Sequence, residues 1–346
     1  MLSYYFTCCL SHRAHSSFFH TYLHYMDYNI CFQGKYSLYC NHSYATFKED
    51  FMKRFVLILP VLAGTMWGAA GTFIRVLNAN GIDSWTTFSS RSLAASLLLF
   101  VGLFIYDRSL LKIHMKDLWI FVGSGLLCML GLNYCFTNAV NQINLSLAAV
   151  LLSMSPIFVL FLSRILFNEK ITHKKIVCMI FAITGCAMTS GIFEASSGIK
   201  WTVPGILLGL AAAFFYALYG MFSKYSGERD YNAFTLTFYS LLVLTIIAVP
   251  FADWSSYGCF LLEAPIKNTF FTLAHGTVSS VLPYAFFALA LKYKDSGIVS
   301  ILAAGAEPVA ATILGFLFFG ENPTILSLTG LVVTITALTI LCKPSH

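Results

Sequence analysis

Apolar residues occur along this chain in long blocks separated by short polar segments. A helix needs about 20 apolar residues to cross the hydrocarbon core of a bilayer, and ten blocks have about that length. They cover residues 55–77, 85–106, 118–140, 145–166, 174–192, 203–223, 233–252, 268–290, 298–319 and 325–342. A membrane β-barrel would instead show short segments of alternating polarity. The pattern therefore predicts an all-α polytopic membrane protein with ten transmembrane helices.

The composition excludes a soluble globular protein. Of 346 residues, 58% are hydrophobic and 10% are charged, whereas a soluble domain carries roughly 25% charged residues. We expect the lipid bilayer as one partner and a small molecule as the substrate, with no nucleic-acid partner. The ten cysteines have neither zinc-ligand nor C-x-x-C spacing. They are interpreted as small apolar side chains, and no metal or cofactor is expected.

Positive charges are distributed unevenly between the two sides that ten spans create. With the N-terminus inside, the inward-facing segments hold Lys53, Arg54, Arg108, Lys112, Lys116, Arg164, Lys170, Lys174, Lys175, Lys224, Arg229, Lys292, Lys294 and Lys343. The opposite side holds Arg75, Lys200 and Lys267. Short loops rich in Lys and Arg remain in the cytoplasm, so both termini are predicted to be cytoplasmic.

Residues 1–51 differ from the rest of the chain. They contain five of the nine histidines and lack the sustained apolar core of a signal peptide. At Met52 the sequence becomes MKRFVLILP, in which two basic residues precede the first span. We expect Met52 to be the native start and residues 1–51 to be a non-native or disordered extension.

The two halves of the remaining chain resemble each other. Residues 146–172 align with residues 298–324, and the pairs Pro156/Pro308, Glu169/Glu321 and Thr172/Thr324 are each 152 positions apart. This internal repeat predicts two five-helix units, residues 52–192 and residues 203–342. Because five is odd, the second unit must cross the membrane in the opposite sense. Such inverted repeats are common in secondary transporters, whose substrate site lies near the midplane between the two copies.

Several stretches of the chain resemble the EamA-type transporters of the drug/metabolite transporter superfamily. They are AGTMWGAAGTFIR (residues 63–75), FSSRSLAASLLL with Arg91 (residues 88–99), and the S-P…N-E and E-P…G-E endings of the two halves. The resemblance covers residues 55–342 and implies a ten-helix carrier of the plasma (bacterial inner) membrane that exports amino acids or related metabolites. It also implies a central cavity lined by both halves, with the last helix of each half at the periphery.

Glu307 is the most informative candidate residue. A carboxylate at the centre of a transmembrane helix costs about 2.5–3.5 kcal/mol, so it should face a cavity, a partner or a proton. One interpretation is a proton-coupling site. The alternative is structural, because Pro308 cannot donate a hydrogen bond to the Ala304 carbonyl, and a protonated Glu307 could satisfy a nearby carbonyl instead.

We expect helix breaks at Pro156 and Pro308, with Ser153 and Ser155 as the polar groups of the first break. Glu169 and Glu321 are interpreted as solvated or structural.

Other polar residues of the spans are candidates for the substrate pathway. Arg91 either extends to the interface or turns inward to pair with Glu307 or a substrate carboxylate. In the third span, Asn133, Thr137 and Asn141 share one helical face, which suits either a water-accessible surface or hydrogen bonds between helices. In the eighth span, Thr272, His275 and Ser279 form a similar stripe. His275 is interpreted as either a satisfied interior residue or a proton relay.

Aromatic residues in the spans predict a lining for apolar or aromatic substrates, with interfacial anchoring as the alternative. They are Trp67, Tyr216, Tyr219, Tyr239 and Tyr284. Gly64, Gly68 and Gly71 are expected to permit close helix packing.

These patterns favour a secondary transporter that works by alternating access, coupled to protons through Glu307. An uncoupled facilitator of the same fold is the alternative. An intramembrane enzyme is the rival class, but the chain contains neither H-E-x-x-H nor G-x-S-x-G, and no catalytic residue is assigned.

Overall fold

The computed structural model describes residues 37–143, 145–190, 193, 202–320 and 322–343. The chain forms two units, Met1–Lys53 and Arg54–His346. All candidate site residues belong to the second unit. Of the predicted extension, residues 1–36 lie outside the described residues, and residues 37–51 are helical. The non-native origin of this extension stays a prediction, and Glu321 also lies outside the described residues.

The described residues confirm an all-α polytopic fold, in which nine helices are long and apolar enough to span a membrane. The fifth predicted block, residues 174–192, forms a helix of 17 residues, at the lower limit of spanning length. In chain order the helices are α1 (Ser37–Ala79, with the span Val56–Ala79), α2 (Ser84–Tyr106), α3 (Met115–Gln142), α4 (Leu147–Phe167), α5 (His173–Thr189), α6 (Val203–Glu228), α7 (Ala233–Phe251), α8 (Pro265–Tyr293), α9 (Ser296–Phe319) and α10 (Ile325–Cys342). A short helix, Trp254–Glu263, precedes α8.

Polar side chains at the helix starts fix where the spans begin. The Thr172 hydroxyl accepts a hydrogen bond from the Lys175 amide at the start of α5. The Thr324 hydroxyl accepts one from the Ser327 amide at the start of α10. Such caps satisfy amides that have no partner within the helix. The repeated Thr172/Thr324 pair of the sequence therefore begins the last helix of each half.

The third helix of each half contains a π-helical segment. It covers Gly123–Leu130 in α3 and Thr277–Val281 in α8. Wider turns of this kind are rare and frequently lie at functional sites. Their occurrence in corresponding helices agrees with the internal repeat.

The fourth helices of the two halves differ. Helix α4 is interrupted at Met154, two residues before Pro156, as expected. Helix α9 runs without interruption over Ser296–Phe319 with Pro308 inside it. The expected break at Pro308 is therefore wrong. A proline removes one backbone hydrogen bond, and the flanking turns of α9 keep helical geometry around that gap.

Close helix packing depends on glycine at several crossings. A Cβ atom at Gly64 would lie 2.1 Å from the Ala303 oxygen, and one at Gly68 would lie 2.3 Å from the Glu307 oxygen. Helices α1 and α9 therefore touch through their backbones, as expected for Gly64 and Gly68. Gly71 has no neighbour within 4 Å, so its expected packing role is wrong. Helices α5 and α10 meet similarly, since a Cβ at Gly185 would lie 2.7 Å from the Gly330 oxygen.

Candidate substrate cavity

A cavity of about 290 Å³ lies between helices of both halves. Helices α1, α3, α4 and α5 of the first half contribute to its wall, together with α6 and α9 of the second half. The polar side chains of the wall are Arg75, Ser153, Ser155, Thr189, Ser190, Tyr216, Glu307 and Thr312. Of the predicted pathway residues, the cavity therefore brings together Ser153, Tyr216 and Glu307, with Pro308 beside them.

Glu307 lies where α1 crosses α9. The Gly68 contact holds its backbone, and its side chain is half-buried at the cavity wall. Within the described residues, no hydrogen-bond donor or cation reaches the Glu307 carboxylate. Water, a proton or a bound cation is what remains to stabilise this group in the cavity.

The structural interpretation of Glu307 depended on the carbonyl that Pro308 leaves without a donor. That carbonyl belongs to Ala304, and it accepts a weak hydrogen bond from the Cys186 thiol at 3.8 Å. The donor therefore comes from α5 and not from Glu307. Sequence reasoning missed Cys186, because only the packing of α5 against α9 brings it to this position.

Four of the five predicted aromatic residues form one cluster beside the cavity. The Trp67 ring lies 5.6 Å from Tyr216 and 5.3 Å from Tyr284, centroid to centroid, and Tyr219 lies 5.0 Å from Tyr284. Phe287, which the sequence analysis missed, joins the cluster at 5.5 Å from Trp67. The sequence feature that could have identified Phe287 is its position three residues after Tyr284, which places both rings on one face of α8. Tyr216 connects this aromatic cluster to the cavity wall.

Tyr239 lies elsewhere. Its ring packs 5.4 Å from Phe121, and its hydroxyl donates to the Leu111 oxygen at 2.5 Å. This residue ties α7 to the segment between α2 and α3, and it does not line the cavity.

The polar stripe of α3 lies beside the cavity and not in its wall. Asn133 donates to the Met129 oxygen of its own helix at 2.8 Å. Thr137 is half-buried and Asn141 is exposed, while Phe136, directly before Thr137, reaches the cavity. A role in substrate passage stays a prediction for these three residues.

Arg91, His275 and Ser279 occur outside the cavity wall, where α2 meets α8. Arg91 lies over the Phe88 ring, 5.3 Å from its centroid, and makes no ion pair with Glu307. His275 stacks on Phe73 at 5.1 Å. Thr272, the third member of the predicted stripe, donates to the Asn268 oxygen at 2.8 Å.

Ion pairs join the helix ends opposite the cavity, which we call the charged end (residues 107–117, 168–175, 224–232 and 292–296). The Glu169 carboxylate, on a side chain that is 9% exposed, accepts hydrogen bonds from the Lys224 ammonium, from the Ser296 amide at 3.0 Å and from the Ser296 hydroxyl at 2.9 Å. Lys175 pairs with Asp295 at 2.6 Å. These contacts connect the α4–α5 loop of the first half to α6 and α9 of the second.

Two further ion pairs complete the charged end. Arg229 pairs with Asp117, which also accepts a hydrogen bond from the Tyr231 hydroxyl at 2.7 Å. Lys292 pairs with the exposed Asp230 at 3.3 Å. The cavity lies away from the charged end, because its wall includes the last residues of α5, the end of α1 near Arg75 and the middle of α9.

The environment of the charged end shifts two acid pKa values in opposite directions. Burial alone would raise the pKa of the Glu169 carboxyl, but hydrogen bonds from Lys224 and Ser296 hold that pKa below its ordinary value. Burial raises the pKa of Asp295, against the effect of Lys175. Glu169 is thus stabilised in its ionised form. Of the two roles predicted for this residue, solvated or structural, this agrees with the structural one.

Comparison with known proteins identifies the family. The profile of the EamA-like transporter family matches residues 54–191 and 203–342, which is most of the chain. The chain belongs to the EamA-like transporter family. Two tandem EamA repeats account for its ten predicted spans, and the protein is a multi-pass membrane protein of a transporter family.

Curated relatives of this EamA protein are also transporters by name. An uncharacterized transporter of Archaeoglobus fulgidus is 26% identical over 78% of this chain and 90% of its own length. The pseudopaline exporter CntI of Pseudomonas aeruginosa is 28% identical over 59% of this chain and 68% of its own length. A solved crystal structure covers 82% of this chain and 95% of its own chain with a TM-score of 0.66 at 14% identity, which shows a shared fold.

Proposed function

We propose that this protein is a secondary active transporter that exports small metabolites, such as amino acids or drug-like compounds, by alternating access. The observation that carries the proposal is the combination of one cavity between the two halves with ion pairs at the opposite ends of the same helices. An alternating-access carrier needs a central site that reaches one side at a time. A cavity at one end and a closed charged end fit one state of that cycle.

The direction of the closed end follows from the positive-inside distribution. The charged end contains most of the basic residues that the sequence analysis places in the cytoplasm. The cavity then opens toward the outside of a bacterial inner membrane, as in the substrate-release state of an exporter. The name of CntI as an exporter supports the same direction.

Proton coupling is assigned to Glu307. Its carboxylate faces the cavity without a protein partner among the described residues, so a proton or a cationic substrate can compete for the same group. The nearby Ala304 carbonyl accepts from Cys186, which removes the reason for a purely structural Glu307. An uncoupled facilitator is the second candidate, and it requires only the cavity and the two halves.

The test uses purified protein in proteoliposomes and a panel of radiolabelled amino acids and drug-like compounds. Counterflow without a pH gradient reports substrate exchange, and concentrative uptake with an imposed gradient reports coupling. We expect Glu307→Gln to keep counterflow and to lose gradient-driven uptake, because the amide cannot release a proton. Glu263→Gln, at an exposed acid of the short helix before α8, is the matched control. Full gradient-driven uptake by Glu307→Gln would favour the facilitator.

A further inference from the structure

A second cavity, of about 100 Å³, lies at the charged end. Three helices of the second half form it, namely the last turns of α6, the first turn of α7 and the last turns of α8. We call it the charged-end pocket (lined by residues within 223–236 and 288–293). Pockets that enclose a drug-sized ligand have about 300–1,000 Å³, so this smaller one suits a small ion or a single group of a larger molecule.

Two buried hydroxyls of the pocket wall have no hydrogen-bond partner among the described residues. They are Ser223 Oγ and Ser226 Oγ, and each residue is 1% exposed. Three positions apart, they share one face of α6. Ser223 also lies near enough to the Tyr219 hydroxyl to interact with it, so Ser226 is the clearer of the two. A buried hydroxyl is destabilising unless another group replaces its bonds to water, and a ligand in the pocket can supply that group.

Lys292 brings a positive charge to the same wall. A Cβ atom at Gly227 would lie 3.3 Å from the Lys292 Cβ, so the lysine packs on α6 directly beside Ser226. Its ammonium lies 3.3 Å from the Asp230 carboxylate, whose side chain is 93% exposed. A pair with so exposed an acid contributes little, and the ammonium has three donors to share. Of the described residues that line the pocket, none is acidic.

The first turn of α7 adds the positive end of a helix dipole. Ala233 and Leu236 of this turn line the pocket, and Asn232 begins the helix by accepting a hydrogen bond from the Phe234 amide at 2.9 Å. A helix N-terminus attracts anions through its amides and its dipole. An ammonium, a helix N-terminus and two hydroxyls thus direct donors into one small volume, which suits the oxygens of a phosphate group.

We infer that the charged-end pocket binds a phosphate group through Lys292, Ser223 and Ser226. The group belongs either to a free phosphate ion or to the headgroup of an anionic phospholipid. Basic pockets between helices at the cytoplasmic membrane surface bind such headgroups, and the Lys292 side chain is 31% exposed, which leaves an entry from that surface. The walls of this pocket and of the cavity with Glu307 share no residue, and the inference does not depend on the proposed transport.

The test measures binding to the full chain in a neutral detergent, purified free of bound phospholipid. Thermal unfolding is followed in sodium phosphate against sodium chloride at equal ionic strength, and in glycerol 3-phosphate. It is also followed in mixed micelles with phosphatidylglycerol against diacylglycerol, which lacks the phosphate. We expect saturable stabilisation by at least one phosphate-bearing compound. Saturation by phosphate and glycerol 3-phosphate would identify a soluble ion, and saturation by phosphatidylglycerol alone would identify a lipid headgroup.

Variants assign the binding to the pocket, because phosphate also stabilises many proteins non-specifically. Lys292→Gln should weaken binding about tenfold, since it removes a hydrogen bond between charged groups. Lys267→Gln is the matched control. It removes the charge of an exposed lysine at the opposite end of the same helix, and the affinity should stay unchanged.

Ser226→Ala should change stability and affinity in opposite directions. It removes a buried hydroxyl without a partner, so the unfolding temperature without ligand should rise, while the affinity for the phosphate group should fall about threefold. Ser300→Ala removes another such hydroxyl, on α9, and should raise the unfolding temperature with unchanged affinity. Because neither variant alters the charge, this comparison keeps the test valid if Lys292→Gln does not fold.

Two outcomes would overturn the site. The first is the lack of saturable stabilisation by any of the phosphate-bearing compounds. The second is equal affinity in the wild-type protein, Lys292→Gln and Ser226→Ala, which would show that phosphate acts on the protein non-specifically.

Discussion

The charged end and the cavity end of the bundle are held together by different interactions. At the charged end, Glu169 and Asp295 connect the two halves through the cations of Lys224 and Lys175. At the cavity end, several neutral contacts join the helices, beside the Arg75 guanidinium that lies 4.9 Å from the Phe319 ring centroid. The Ala248 carbonyl accepts from the Trp85 indole at 3.3 Å and from the Ser89 hydroxyl at 3.1 Å, and Gly68 touches the backbone of Glu307.

This difference has a physical consequence for a carrier. A buried ion pair is strong while water is excluded, but each of its ions is well hydrated once water enters, so the net stability of the pair is small. Ion pairs between the halves can therefore close one end firmly and still separate when the end opens. Backbone contacts through glycine depend on shape alone and do not gain from hydration. The charged end is thus suited to open and close, and the α1–α9 crossing is suited to stay in place.

Glu169→Gln should have the largest effect on this comparison. It leaves the Lys224 ammonium without its anion, and removing one partner of a buried pair costs about 3–5 kcal/mol. We expect the charged end to open, so that a cysteine placed at the fully buried Ser300, one turn inside Ser296, reacts with a membrane-impermeant maleimide in a background without other cysteines. Asp230→Asn, at an acid that is 93% exposed in its pair, is the control. Equal labelling of both variants would contradict a closing role for Glu169.

Gly68→Ala should have a smaller effect at the cavity end. The added Cβ would lie 2.3 Å from the Glu307 oxygen, so α1 and α9 must separate, and overpacking of this kind costs about 1–3 kcal/mol. We expect a lower temperature of thermal unfolding in detergent. Gly71→Ala is the matched control on the same helix, because its Cβ meets nothing within 4 Å and alanine is the better helix former. If the two variants melt at the same temperature, the crossing is looser than described.

Acidification should have the smallest effect. The direction of the Glu169 pKa shift determines at which pH the charged end becomes less stable. Hydrogen bonds from Lys224 and Ser296 lower the pKa of this carboxyl in the closed state. Its stabilising contribution is therefore present above the ordinary pKa of about 4.3 and is lost as the pH falls through the lower pKa of the closed state. We expect maleimide labelling at Ser300→Cys to stay constant between neutral pH and about pH 5, measured in an Asp295→Asn background because burial raises the pKa of Asp295. Labelling that rises already near pH 6 would contradict the assigned direction.

Local features of the sequence predicted much of the fold. The hydropathy blocks correspond to helices α1 to α10, because twenty consecutive apolar residues have no other stable arrangement in lipid. The repeated Thr172/Thr324 pair marked two helix starts, and Gly64 and Gly68 marked a close crossing, since caps and small residues act within one or two turns of their own positions.

Contacts between distant helices could not be predicted in the same way. Arg91 and Glu307 were expected as a possible pair, yet the rotation and crossing of their helices place Arg91 against α8 and Glu307 against α1. Glu169 was assigned no partner in the sequence, and its pairing with Lys224 and Ser296 depends on how the loops of two halves meet. Hydropathy measures how apolar a segment is, and it contains no information on which face of a helix meets which neighbour.

The contact between Gly185 and Gly330 also constrains how the bundle can move. Helices that meet backbone against backbone have no long side chains to rearrange, so even a small slide would bring main-chain atoms into collision. We expect α5 and α10 to move as one rigid body that connects the two repeats. If the first four helices of one repeat move relative to those of the other, α5 and α10 should stay fixed relative to each other. A chemical cross-link between α5 and α10 should therefore reduce the transport rate only slightly.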